Sequence, residues 1–171
     1  MTDQTPETVF TIDTSSIKFG PGATSEAGHE LTRLGATRVM VVTDPKMSSS
    51  QAVRTATDSL KNSHIDFTVF DQVNVEPTDT SLKEAINFAV DGKFDGYLPI
   101  GGGSSIDTAK AANLYSTYPA DFLEYVNAPI GKGTPVPGDL KPLVAVPTTS
   151  GTGSETTGVA IFDFEELGAK T

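Results

Sequence analysis

Short apolar bursts alternate with longer amphipathic stretches along this chain. Residues 39–43 (VMVVT) read as a buried strand and 51–60 as a helix, and the cycle then repeats. Residues 67–70 predict a second short strand. Residues 81–90 predict a helix with Leu82, Ala85, Ile86 and Ala89 on one face, capped by Thr78 or Thr80. A third strand is expected over 96–100. The helix after it, 104–115, starts at a Ser104 cap and places Ile106, Ala109 and either Ala112 or Asn113 near one face. A fourth apolar run, 143–146, ends at Pro147. Strands alternating with helices of about ten or more residues pair in parallel through right-handed crossovers. The fold class is therefore α/β, a Rossmann-like doubly wound parallel sheet.

The flanks carry weaker patterns. Residues 9–14 and 17–19 predict a short hairpin or edge pair, and 25–34 a helix that closes at Gly35. Residues 128–142 hold four Pro and three Gly and predict a loop. Residues 157–162 (TGVAIF) predict a late strand. No repeat or low-complexity tract interrupts the order, so residues 1–171 are expected to form a single domain.

Composition narrows the function classes. With 171 residues, 37% hydrophobic and 20% charged, the chain can bury a core. No apolar stretch approaches the roughly 20 residues that span a bilayer. A net charge of -10 works against a general attraction to polyphosphate or anionic lipid, so neither nucleic acid nor a membrane is an expected partner. An anion would have to be held locally, by backbone N–H groups. The absence of cysteine excludes disulfides, cysteine-ligated metal and a thiol nucleophile. The acidic start MTDQTPETVF shows no targeting signal, and a cytoplasmic protein is expected.

The sharpest local motif is YLPIGGGSSIDTAK at 97–110, where a buried strand runs through Gly101, Gly102 and Gly103 into a helix. Such a turn sits where open α/β sheets bind ligands. A helix N-terminus there offers free N–H groups to a phosphate, and three glycines remove every Cβ in the way. Ser104 can add a hydroxyl. A tight turn needing positive φ would account for one glycine or two, but not for three. Asp44, at the end of VVTD, can accept from the hydroxyls of an adenosine ribose or can simply open a turn before Pro45; both readings stay open. PTTSGTGSE at 147–155 carries five hydroxyls and two glycines after a strand and predicts a second ligand-facing loop, against the alternative of a polar turn bonded to itself. A serine-hydrolase elbow at Ser150 fails, because Thr148 and Thr152 stand where glycines are needed. Asp107 and Lys110 read either as a solvated i,i+3 pair or as ligand-side residues. His29 and His64 lack metal spacing, and no metal ligand is named.

Taken together, VVTD at 41–44, VEPTD at 75–79, GGGSSIDTAKAANLY at 101–115, DFLEYVNAPIGKG at 121–133 and PLVAVPTTSGTGSETTGVAIFD at 142–163 resemble the iron-containing alcohol dehydrogenase family, and within it especially the hydroxyacid–oxoacid transhydrogenases. The resemblance implies a dinucleotide-binding α/β domain of the dehydroquinate synthase-like type. A helical domain holding a divalent metal, iron or zinc, would follow it in the full-length enzyme and is absent from this chain. It implies NAD as cofactor, with Asp44 at the ribose, Gly101, Gly102, Gly103 and Ser104 at the pyrophosphate, and Thr148, Thr149 and Thr152 along the adenine and nicotinamide side; Asp107 stays a cofactor-side candidate from its place on the helix after the glycines. Lys170 matches a lysine that reaches the cofactor. The implied reaction moves hydride from a hydroxy acid such as 4-hydroxybutyrate to a 2-oxoacid such as 2-oxoglutarate, and a homo-oligomer is compatible with the family. The alternatives are a general NAD(P)-dependent alcohol dehydrogenase of the same family and a non-catalytic dinucleotide-binding fragment.

Overall fold

The computed structural model describes residues 15–171, so the strand expected over 9–14 lies outside the described residues. Strands β1 (Arg38–Val42), β2 (Asp66–Phe70), β3 (Gly96–Gly101) and β4 (Val146–Pro147) form one sheet in the order β2-β1-β3-β4, with parallel pairing throughout. Helices α1 (Ala27–Arg33), α2 (Gln51–Asn62), α3 (Asp79–Gly92) and α4 (Gly103–Thr117) cover it.

Side-chain alternation along β1 explains why both faces need cover. Val39 and Val41 pack with Leu31 of α1 and Val53, Ala56 and Leu60 of α2. Met40 and Val42 point the other way, onto Ala85 and Ala89 of α3 and Ala109 and Ala112 of α4. The chain leaves β1 through α2 on one face and returns from β2 through α3 on the other. The order thus reverses between β1 and β3, which places the topological switch point at their carboxyl ends.

Helix boundaries follow local chemistry. Thr78 caps α3 in a reciprocal box, accepting from the Ser81 N–H at 3.2 Å while the Ser81 hydroxyl accepts from the Thr78 N–H at 2.9 Å. Thr78 is therefore the cap, and Thr80 is not. Gly35, at φ 86, closes α1 as expected. The N-cap of α4 is Gly102, one turn-forming glycine into the motif; Ser104 lies inside the first helical turn, which corrects its expected capping role. Helix α4 is buried on nearly every side, because α3, the sheet and the segment after β4 all pack on it.

Three expected strands differ. Residues 17–19 form no ladder among the described residues, and Ile17 and Phe19 are exposed. The apolar run 143–146 does follow β3, through a Tyr97–Leu143 bridge, but regular pairing begins only at Val146. Residues 157–162 make no ladder. Within 157–161, α4 side chains take two backbone groups, with the Ile161 N–H on Asp107 Oδ2 at 3.2 Å and the Val159 carbonyl on Lys110 Nζ at 2.8 Å. Phe162 exchanges backbone bonds with Thr171 at 2.9 and 3.0 Å, at the end of the antiparallel hairpin of β5 (Asp163–Phe164) and β6 (Ala169–Lys170). No helix among the described residues is long and apolar enough to cross a membrane.

Candidate functional site

The switch point is built from the ends of β1 and β3. The Thr43 hydroxyl donates to the Ile100 carbonyl at 2.8 Å, which holds the two strand ends together. Asp44 follows. Its Oδ1 accepts from the Lys46 and Met47 N–H groups at 2.9 and 3.0 Å, the turn-opening role. Its Oδ2 faces the glycines, 3.9 Å from where a Cβ on Gly101 would stand. One carboxylate thus serves the turn and still presents an oxygen at the switch point, so the two readings of Asp44 are compatible.

The three glycines have distinct reasons. A Cβ on Gly101 would stand 2.4 Å from Ser105 Oγ, so close packing against α4 requires glycine there. A Cβ on Gly102 would meet Thr149 Oγ1, and one on Gly103 would meet Ser154 Oγ, each at 3.0 Å. The latter two glycines therefore keep open the space between the helix end and the loop after β4. No side chain caps α4, and the first of its N–H groups to find a carbonyl is that of Ile106, on Gly102 O at 3.3 Å. The N–H groups of Gly103, Ser104 and Ser105 precede that bond, at the positive end of the helix dipole. The arrangement suits a phosphate. The Ser104 hydroxyl donates to the Val75 carbonyl, tying the loop between β2 and α3 to the turn and leaving the oxygen lone pairs for a donor.

The loop after β4 starts beside the same turn. The Thr148 N–H donates to the Gly101 carbonyl at 2.9 Å, Thr149 lies against Gly102, and Thr152 and the buried Ser154 lie against Gly103. Ser150 is exposed. Asp107 and Lys110 are not a solvated pair. Asp107 is buried, and Lys110 Nζ lies 3.8 Å from its Oδ1, a charge contact too long for a hydrogen bond. Asp107 Oδ1 and Glu155 Oε2 are buried without a hydrogen-bond partner. Burial pushes the Lys110 ammonium below the usual lysine range, while the Asp107 and Glu155 carboxylates act in the opposite direction.

The structure thus gathers Asp44, Gly101, Gly102, Gly103, Ser104, Thr148, Thr149 and Thr152 around one turn, with Asp107 one helical turn further along. Lys170 stands on the β5–β6 hairpin, exposed, with its ammonium 3.4 Å from Asp163. That hairpin docks through the Asp163 N–H on the Pro77 carbonyl. His29 and His64 are exposed, and no group of three His, Cys, Asp or Glu that could hold a metal occurs among the described residues. A cavity of about 590 Å³ lies along a different stretch of α4, beside Tyr115, Tyr125, Val136 and Phe162. Its lining includes neither Gly101, Gly102, Gly103 nor Asp44; the switch point is the better candidate because the uncapped helix N–H groups converge there. Sequence reasoning missed Thr43, Val75 and Ser154. Only Ser154 carried a signal, as one of the crowded hydroxyls of PTTSGTGSE.

A doubly wound α/β chain with a glycine-lined, N–H-rich turn at its switch point is the class that this geometry defines. The chain belongs to the iron-containing alcohol dehydrogenase family, whose model matches residues 14–171. It is 58% identical over 169 residues to "Hydroxyacid-oxoacid transhydrogenase, mitochondrial" of Bos taurus, covering 98% of this chain and 36% of that protein. It therefore spans about a third of the length of such relatives. Among solved structures, 1,3-propanediol oxidoreductase superposes with a TM-score of 0.83 at 28% identity, covering 95% of this chain and 42% of that one. The NADH-dependent butanol dehydrogenase A of Thermotoga maritima gives 0.82 at 26% identity, covering 95% and 40%.

Proposed function

We propose that this chain is the dinucleotide-binding portion of a hydroxyacid–oxoacid transhydrogenase, taking NAD(H) at the glycine turn. The observation that carries the reading is the uncapped first turn of α4 facing Gly102 and Gly103 at the switch point. In this reading the N–H groups of Gly103, Ser104 and Ser105 hold the pyrophosphate, and Asp44 Oδ2 accepts from the adenosine ribose hydroxyls. The loop bearing Thr148, Thr149 and Thr152 closes over the dinucleotide and keeps water from it. NAD supplies a hydride carrier when bound; the chain supplies its position. A carboxylate at Asp44 repels a 2′-phosphate and favours NAD over NADP.

In the complete enzyme the hydride donor would be a hydroxy acid such as 4-hydroxybutyrate and the acceptor a 2-oxoacid such as 2-oxoglutarate. The residues described here do not fit a divalent metal, iron or zinc, so no step is assigned to one; we place it in the part of such a protein that this chain does not span. The relatives matched are named mitochondrial, and their names lend no support to the cytoplasmic expectation. The test is titration of this chain with NADH and NADPH, followed by nicotinamide fluorescence. Saturable enhancement with NADH, weaker with NADPH, is expected, and Asp44→Ala should narrow the gap between the two. No saturable change with either would overturn the reading.

A further inference from the structure

Residues 148–160 leave β4 and return beside α4, and both ends of this stretch are fastened to the strand–turn–helix unit that its loop faces. The entry is held by the Thr148 N–H on the Gly101 carbonyl at 2.9 Å. The exit is held by side chains. Lys110 Nζ donates to Thr157 Oγ1 at 3.2 Å and to the Val159 carbonyl at 2.8 Å, and Asp107 Oδ2 accepts from the Ile161 N–H at 3.2 Å. Between these anchors the loop makes few backbone bonds of its own, among them the Thr156 N–H on the Gly153 carbonyl at 2.9 Å. Its order therefore depends on its ends.

We propose that Lys110 is a positioning residue, a latch whose ammonium joins α4 to the exit of the loop and thereby seats Thr149, Thr152 and Ser154 over Gly102 and Gly103. The groups around it fit that role. The ammonium is half-buried between two carboxylates, Asp107 at 3.8 Å and Glu155, each with a buried oxygen that no hydrogen bond satisfies. Charge holds the lysine at this spot, and its hydrogen bonds go to the loop. The i,i+3 spacing of Asp107 and Lys110 puts both on the side of α4 that this segment covers. The motif GGGSSIDTAK then acts as one unit, its glycines admitting a ligand and its Asp and Lys fixing the cover. A ligand that needs the seated loop binds more weakly in proportion to the fraction of chains in which the loop is seated.

The proposal rests on NADH binding at the glycine turn, and the experiment separates the two. The intact chain, Lys110→Met and Lys110→Arg are compared by NADH fluorescence titration and by residue-resolved amide hydrogen exchange. If the unaltered chain does not bind NADH, the binding reading fails, and the exchange data alone then decide whether Lys110 holds the loop. In Lys110→Met, Kd for NADH is expected to rise about tenfold, as for a loop seated in about a tenth of chains. Protection should fall at residues 148–161 while β1 and β3 stay protected, and Lys110→Arg should restore both. Unchanged exchange at 148–161 would overturn the latch, as would protection lost equally across the sheet. Should Lys110→Met fail to fold, Thr157→Val removes one acceptor at an exposed position. Faster exchange at 148–161 in that variant supports the latch, and unchanged exchange there overturns it.

Discussion

At the residue scale, three adjacent glycines carry different burdens. Gly101 sits where a methyl group would press on Ser105 Oγ at 2.4 Å and Ser105 Cβ at 2.9 Å. Gly101→Ala should therefore cost about 1–3 kcal/mol by overpacking, read as a lower midpoint in urea. Gly102 has ordinary extended backbone, and its nearest neighbour is the end of an exposed threonine side chain. Gly102→Val should cost only about 1 kcal/mol as a poorer cap, keep the fold by circular dichroism, and abolish NADH fluorescence enhancement. Unchanged NADH binding in that variant would remove the glycine turn from the functional reading. The identity of these glycines was plain in the sequence. Their division of labour was not, because it depends on Ser105 one turn ahead and on Thr149 and Ser154, about fifty residues away.

At the scale of elements, caps and strand ends were largely legible. The Thr78–Ser81 box could be read as one of two candidates, and geometry chose between them. Thr78→Ala should cost about 1 kcal/mol, measured by thermal melting, since it leaves a helix N–H without its partner. Asp95 was not singled out in the sequence, yet it ties the start of β1 to the approach to β3. Its carboxylate accepts from the Thr37 hydroxyl at 2.5 Å, the Thr37 N–H at 2.9 Å and the Arg38 N–H at 2.7 Å. Burial pushes this carboxyl up, but those bonds outweigh it and hold it below the usual aspartate range. A carboxyl depressed in the folded state stabilises fully above its unfolded value, about 3.9, and loses that contribution as pH falls through the folded value. Acid melts of Asp95→Asn should accordingly show a shallower loss of stability below about pH 4 than the unaltered chain. Equal slopes would show that Asp95 contributes no linkage.

At the scale of the whole molecule, the chain gathers a candidate cofactor site at the switch point but, among the described residues, no cluster of metal ligands. Hydride transfer between two acids needs substrate, acceptor and nicotinamide held together, and this chain covers 36% of the bovine relative. The expected outcome is NADH binding without measurable turnover when 4-hydroxybutyrate and 2-oxoglutarate are supplied, assayed by product formation. Turnover by this chain alone would show that it carries a complete active site.

The order of strands and helices, the parallel class and the glycine motif follow from the sequence alone, because periodicity and turn chemistry are local properties of neighbouring residues. Tertiary structure decided what those signals could not contain. It took the backbone of Val159 and Ile161 away from strand pairing, since Lys110 and Asp107 bind it, and it set against the loop a pair that the sequence also allowed to be solvated. It also let Asp44 hold a turn with one oxygen and bring the other beside Gly101, because the end of β3 lies beside the end of β1 only after the chain has crossed the sheet.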